Sequence, residues 1–147
     1  MISKERDYSI AVIGGGIGGL CLAIGLMHRG IPITIYEAAP AFAEIGAGVS
    51  IGPNAAKAMN MIDSRIADGF RKCATNNPFD AQSNFWFQFR LGQDRSSKVG
   101  TPVYDLVCET GQTSVHRARY LDELIALVPK DVAQFGKRSI VLGCALT

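Results

Sequence analysis

The sequence of 147 residues lacks several features that would assign it to particular classes of protein. No run of basic residues is longer than a pair, and 15 basic against 13 acidic residues leave a formal charge of +2. That balance argues against a nucleic-acid-binding surface. The four cysteines, at positions 21, 73, 108 and 144, include no C-x-x-C pair. They indicate neither a zinc site nor a disulfide framework, and we expect them to be small core residues.

A membrane span and a signal peptide are not indicated either. Residues 8–27 carry no charge and meet the length of a spanning helix. Six of them are glycine, however, and each glycine weakens a helix by about 1 kcal/mol relative to alanine. The amino end is charge-balanced, and no A-x-A site follows the apolar run. We therefore expect a cytoplasmic protein that does not insert into a membrane.

The composition, with 48% hydrophobic and 19% charged residues, is that of a globular domain. Short apolar runs at 10–13 and 32–36 predict two buried strands. A helical stripe at positions 20, 23, 24 and 27 predicts a helix from about 17 to 29 between them, ended by Gly30. A strand, a helix and a strand in this order form a βαβ unit with parallel strands. The sequence therefore predicts an α/β fold.

The later part of the chain predicts further elements. Pro53 fits the first residue of a helix, and alternating apolar residues at 85–91 followed by a run at 103–108 predict a hairpin. A leucine-rich stripe predicts a helix ended by Pro129, and residues 139–146 predict a buried strand. Because an apolar strand with an unpaired edge seldom ends a domain, we expect this domain to be incomplete.

Residues 14–19 contain a glycine motif, G-x-G-x-x-G, between the first predicted strand and helix. Gly14 would allow a tight turn, Gly16 a close approach of a pyrophosphate, and Gly19 close packing of the helix on the strand. The free N–H groups and the positive dipole end of the helix would bind the phosphates, which places Ile17 and Gly18 in the site as well.

Glu37, 23 residues after Gly14, follows the second strand and would accept hydrogen bonds from ribose hydroxyls. Its charge would disfavour a 2′-phosphate. This spacing predicts an ADP site and does not separate FAD from NAD.

Residues 11–59 resemble the opening of the salicylate hydroxylase-like, FAD-dependent aromatic monooxygenases. The resemblance is carried by the glycine motif, by a second glycine loop at 44–54, and by the Val-His-Arg sequence at 115–117 before the leucine-rich helix. It implies that the backbone around Ala47 and Gly48 lies near the flavin and that Arg117 contacts FAD. His116 is interpreted as structural.

The resemblance covers most of this chain but only about the first third of a family member. It implies a Rossmann-like FAD-binding unit at 1–78, the start of a substrate-side sheet at 79–112, and a return to the FAD-binding domain at 113–147. The family's Asp-Gly and Gly-Asp motifs and its catalytic groups would follow later. Asp68-Gly69 lacks the flanks of the former motif, so the catalytic residues are not predicted.

Three functions follow as hypotheses. The resemblance implies the FAD-binding portion of a monooxygenase that uses NADH or NADPH to hydroxylate an aromatic or related small molecule. A truncated, non-catalytic nucleotide-binding fragment is the alternative that the apolar end of the chain favours. An NAD-dependent dehydrogenase module is less well supported, because a nicotinamide site requires neither the second glycine loop nor Arg117. The sequence gives no oligomeric state.

Overall fold

The computed structural model describes residues 7–42, 47–92 and 98–138. Within these ranges the strands and helices follow one another in this order: β1 (Ile10–Ile13), α1 (Ile17–His28), β2 (Ile33–Tyr36), β3 (Gly48–Ser50), α2 (Pro53–Ile62), α3 (Ser64–Cys73), β4 (Ala74–Asn76), β5 (Phe85–Arg90), β6 (Pro102–Val107), β7 (Thr113–His116), α4 (Arg117–Ile125) and β8 (Ala133–Gln134). Single turns of 3-10 helix lie at Asp80–Gln82 and Lys130–Val132.

The βαβ unit predicted from the sequence is confirmed, because β1 and β2 are parallel, with Ile10 opposite Ile33. The predicted end of α1 is confirmed as well. Gly30 has φ +65°, its N–H donates to Met27 O at 2.9 Å, and the N–H of Ile31 donates to Leu26 O at 3.0 Å. These are the two hydrogen bonds of a Schellman motif, in which glycine is favoured at the left-handed position.

Three sheets organise the strands. A parallel sheet has the order β1-β2-β8, an antiparallel sheet has the order β3-β7-β4, and β5 pairs with β6 as a separate antiparallel hairpin. The hairpin was predicted, whereas β8 was not. The predicted strand at 139–146 lies outside the described residues, and the predicted domain boundaries stay predictions.

Helices α1 to α4 pack into one apolar core with β2 and β7. Its fully buried side chains include Leu20, Ile24, Ile35, Ile66, Val115, Tyr120 and Leu124. The Tyr120 hydroxyl lies 3.3 Å from Met59 Sδ and 3.5 Å from the Ile66 carbonyl oxygen. Burial raises the pKa of this hydroxyl and of the Cys21 thiol, so both are neutral at physiological pH. Cys73 and Cys108 are half-buried, and Cys144 lies outside the described residues.

A buried carboxylate joins three of the helices. Asp63 is only 4% exposed and caps α3, accepting from the Arg65 backbone N–H at 2.9 Å. It also accepts from Arg65 Nη2 at 2.6 Å, and His28 Nδ1 at the end of α1 lies 3.2 Å from it. The hydrogen bond from the Arg65 guanidinium is the main cause that lowers the pKa of Asp63 to about 2. The sequence analysis missed both Asp63 and α3.

One burial prediction was wrong. Strand β1 was expected to be buried, yet Ile13 is 55% exposed. The apolar stripe at 85–91, predicted as one strand of the hairpin, also leaves large side chains open, with Phe87 41% and Phe89 50% exposed. The physical reason is the same in both places, because among the described residues no second layer packs on these faces. None of the described helices has the length and apolar character required to cross a bilayer.

Candidate dinucleotide-binding site

The turn between β1 and α1 depends on Gly14. This residue has φ +97°, a conformation that L-residues with a side chain rarely adopt. Its N–H donates to Tyr36 O at 2.8 Å, which ties the turn to the end of β2. The role that the sequence predicted for Gly14 in a tight turn is consistent with this geometry.

Gly19 allows α1 to approach that turn. A Cβ on Gly19 would lie 2.0 Å from the carbonyl oxygen of Gly14 and 3.6 Å from Val12 Cγ1. No side chain fits there without moving backbone. The structure therefore gives Gly19 the packing role expected of the last glycine in the motif.

Gly16 and Gly18 differ from Gly19 because a Cβ at either position would meet nothing within 4 Å. Gly16 precedes α1 in an extended conformation, and no side chain caps the helix there. The N–H groups of Ile17, Gly18 and Gly19 have no acceptor within the helix, as at every helix start. The amino end of α1 thus combines unpaired donors, the positive end of the dipole and open space, which suits an anion.

Glu37 lies directly beside this turn. Its Oε2 accepts from the N–H of Gly15 at 2.6 Å, and its Oε1 accepts from the N–H of Ala39 at 2.8 Å. These hydrogen bonds lower the pKa of Glu37, and the one from Ala39 has the larger effect. The carboxylate is therefore ionised at neutral pH. A carboxylate offers about four lone-pair sites, and therefore acceptor capacity remains for a ligand hydroxyl.

Sequence reasoning missed the role of Gly15, which occupies a variable position of the motif. A Cβ on Gly15 would lie 2.3 Å from Phe42 Cε1 and 3.2 Å from Glu37 Oε2. The sequence feature that could have indicated this role is the run of three consecutive glycines at 14–16, because the motif does not require glycine at its second position.

The second glycine loop meets the start of α4. The Ala47 carbonyl oxygen accepts from the N–H of Arg117 at 3.0 Å, and Gly48 on β3 lies opposite His116 on β7. The structure therefore brings together the three residues for which the resemblance implied contact with FAD, namely Ala47, Gly48 and Arg117. Residues 44–46 of this loop lie outside the described residues. The cofactor contacts themselves stay predictions.

The hairpin also reaches the end of the second glycine loop. A Cβ on Gly52, the residue before α2, would lie 2.6 Å from Trp86 Cη2 on β5. The Trp86 ring therefore packs against the backbone of Gly52, because this residue has no side chain. Among the described residues no group of three or more His, Cys, Asp or Glu side chains is placed to bind a metal ion.

Comparison with known proteins gives a consistent set of relatives, although no protein-family model matches the chain. It is 49% identical over 137 residues to 6-methylsalicylate 1-monooxygenase of Aspergillus terreus, covering 92% of this chain and 30% of that protein. It is 39% identical over 140 residues to a salicylate hydroxylase of Pseudomonas putida, covering 95% of this chain and 30% of that protein. The chain thus spans about 30% of the length of these curated relatives.

Solved structures give the same result. A salicylate hydroxylase in complex with its substrate superposes with a TM-score of 0.63 at 32% identity, covering 87% of this chain and 28% of that one. Klebsiella pneumoniae HpxO, complexed with FAD and uric acid, superposes with a TM-score of 0.54 at 27% identity, covering 87% of this chain and 30% of that one. The α/β fold is therefore that of FAD-binding monooxygenase domains, and the resemblance stated from the sequence is confirmed.

Proposed function

We propose that this chain, whose homologues are salicylate hydroxylase and other FAD-dependent monooxygenases, binds the ADP half of FAD. The observation that carries the proposal is the hydrogen bond of 2.6 Å between Glu37 and the N–H of Gly15. This hydrogen bond holds an ionised carboxylate beside an open helix amino end, and an ADP group requires both a ribose acceptor and an anion-binding helix end.

Each residue of the site has a separate part in this proposal. The N–H groups at Gly16, Ile17, Gly18 and Gly19 face the pyrophosphate, and Gly14 forms the turn that allows it. Glu37 accepts from the ribose hydroxyls. Ala47, Gly48 and Arg117 lie nearer the flavin, where a guanidinium suits phosphate or ribityl oxygens because it is a permanent, forked donor.

The parallel order β1-β2-β8 supports a Rossmann-like arrangement for this unit. The nucleotide would then lie at the carboxyl ends of the strands, where Gly14 and Glu37 both lie. FAD supplies the oxygen-activating chemistry when it is bound, and the residues of this chain bind and orient it.

For the longer protein of which such a unit is a part, we propose hydroxylation of an aromatic or related small molecule with NADH or NADPH as electron donor. The relatives named for 6-methylsalicylate and salicylate support that substrate class. A second candidate for the chain alone is a non-catalytic nucleotide-binding module, which is favoured by its span of about 30% of the relatives. Salicylate-dependent NAD(P)H oxidation by the chain with added FAD would contradict the non-catalytic module, which should show none.

Competition among nucleotides tests the ADP site. We expect the purified chain to bind FAD, ADP to displace it, and Glu37→Gln to weaken binding by about tenfold through loss of a charged acceptor. The matched control is Glu109→Gln, which changes an exposed acid outside the site and should leave affinity unaltered. A folded chain that binds neither FAD nor ADP would refute the proposal.

A further inference from the structure

Phe42 lies against the glycine turn although it belongs to neither the glycine motif nor β2. Its ring and the Glu37 carboxylate both face the Cα of Gly15, at 2.3 Å and 3.2 Å from a Cβ built there. The ring is half-buried and packs on the apolar core. An apolar ring therefore adjoins the hydrogen bond between Glu37 and Gly15.

Phe135 packs against the ring of Phe42. The two ring centroids lie 4.8 Å apart with an interplanar angle of 80°, the edge-to-face geometry that aromatic pairs prefer. Phe135 directly follows β8, so the pair connects the segment after β2 with the segment after β8.

The backbone reinforces that connection. The backbone N–H of Glu37 donates to Gln134 O at 2.9 Å, and the backbone carbonyl oxygen of Glu37 accepts from the N–H of Lys137 at 2.9 Å. The N–H of Gly136 donates to Ala39 O at 3.0 Å. Residues 37–39 are therefore fixed to 134–137 through the main chain, while the Glu37 side chain is held by hydrogen bonds from the N–H groups of Gly15 and Ala39.

We propose that Phe42 is a positioning residue for Glu37 in the ADP site. In this proposal the ring, packed at Gly15, limits how far the Glu37 side chain can turn and shields one part of its partly buried hydrogen bond to Gly15 from water, which strengthens that bond. Phe42 thereby keeps the remaining acceptor sites of the carboxylate directed at a ribose with free hydroxyls. This inference rests on the proposed function of Glu37.

The consequence is selectivity for an unphosphorylated ribose. A fixed carboxylate accepts hydrogen bonds from two ribose hydroxyls and repels a 2′-phosphate. A carboxylate that can turn away forms weaker hydrogen bonds to the hydroxyls and repels the phosphate less. Removing the ring should therefore weaken binding of ADP and reduce the preference for ADP over its 2′-phosphorylated form.

The test measures affinities of the whole chain for ADP and for 2′-phospho-ADP. We expect Phe42→Ala to weaken ADP binding by about tenfold and to lower the preference for ADP, with Phe42→Leu intermediate because it keeps most of the volume. The control is Phe79→Ala, which removes the same side chain at a site that is 66% exposed and should change neither quantity.

A double-mutant cycle shows whether Phe42 acts through Glu37. In the Glu37→Gln background we expect Phe42→Ala to change ADP affinity by less than about twofold, whereas general damage to the site would again cost about tenfold. Equal effects in both backgrounds, or no effect of Phe42→Ala in the wild type, would overturn the positioning role alone. A folded wild type that binds no ADP would overturn the proposed function as well. If Phe42→Ala does not fold, the same cycle with Phe42→Leu decides.

Discussion

Replacing Gly19 by alanine sets two effects against each other: the new Cβ clashes with the glycine turn, whereas alanine has a higher helix propensity than glycine. The new Cβ would lie 2.0 Å from Gly14 O, whereas real Cβ atoms essentially never approach a heavy atom of a residue that is not a chain neighbour within 3.0 Å. Helix and turn must therefore separate by at least 1 Å, the difference between these distances. The turn cannot yield freely, because Gly14 is held at φ +97° and donates to Tyr36 O.

Such overpacking costs about 1–3 kcal/mol, and the gain in helix propensity returns at most about 1 kcal/mol. We expect Gly19→Ala to be destabilised by about 1–2 kcal/mol on balance and to bind FAD more weakly, because the helix amino end is displaced. Gly18→Ala is the matched control, since it lies in the same turn of α1 and its Cβ would meet nothing within 4 Å. It should be as stable as the wild type or slightly more stable.

Thermal unfolding followed by circular dichroism measures the difference. The Tm of Gly19→Ala should lie about 2–8 °C below that of Gly18→Ala, at about 2–4 °C for each kcal/mol. If Gly19→Ala were as stable as Gly18→Ala, the close approach of α1 to the turn would be refuted.

Three other changes have expected outcomes. Because the pKa of Asp63 is held at about 2 against an ordinary 3.8, its stabilisation of about 2 kcal/mol should be complete above about pH 5 and lost as the pH falls through about 2. The free energy of unfolding, measured with urea at each pH, should show this loss in the wild type and not in Asp63→Asn. The same dependence on pH in both proteins would contradict the prediction. Gly111→Ala, at φ +57° with its Cβ 2.0 Å from Ser83 O, should speed amide exchange in β5 and β6 but not in α1. Unchanged exchange would contradict that packing. Tyr120→Phe should cost about 0.5–1.5 kcal/mol in thermal unfolding, because the hydroxyl has two long polar contacts, and no loss would show that they contribute nothing.

The amino-terminal unit was the most predictable part of the chain, because its signals are local. An apolar run, a glycine cluster, a helical stripe and a terminal glycine fixed β1, α1 and β2 almost to the residue. Gly14, Gly19 and Glu37 could be predicted as site residues for the same reason, since their spacing is set by the length of one helix.

Long-range contacts were not predictable in this way. Strand β8 has two residues, Ala133–Gln134, too few for a periodic pattern, and it forms by pairing with β2. The role of Gly15 depends on Phe42, which is 27 positions later and in no motif. Buried Asp63 and its exposed partner Arg65 resemble, in the sequence, two ordinary surface charges. Only the packing of α1, α2 and α3 removes the aspartate from water.

Titration of FAD into the wild type and into Gly16→Ala tests the ADP site most directly. Gly16 has φ −74°, which alanine adopts without strain, and its Cβ would meet no atom within 4 Å. The substitution should therefore change the free energy of unfolding by less than about 1 kcal/mol. It should weaken FAD binding at least tenfold, because the methyl group enters the space that we assign to the pyrophosphate. Equal FAD affinity of the two proteins would contradict the assignment.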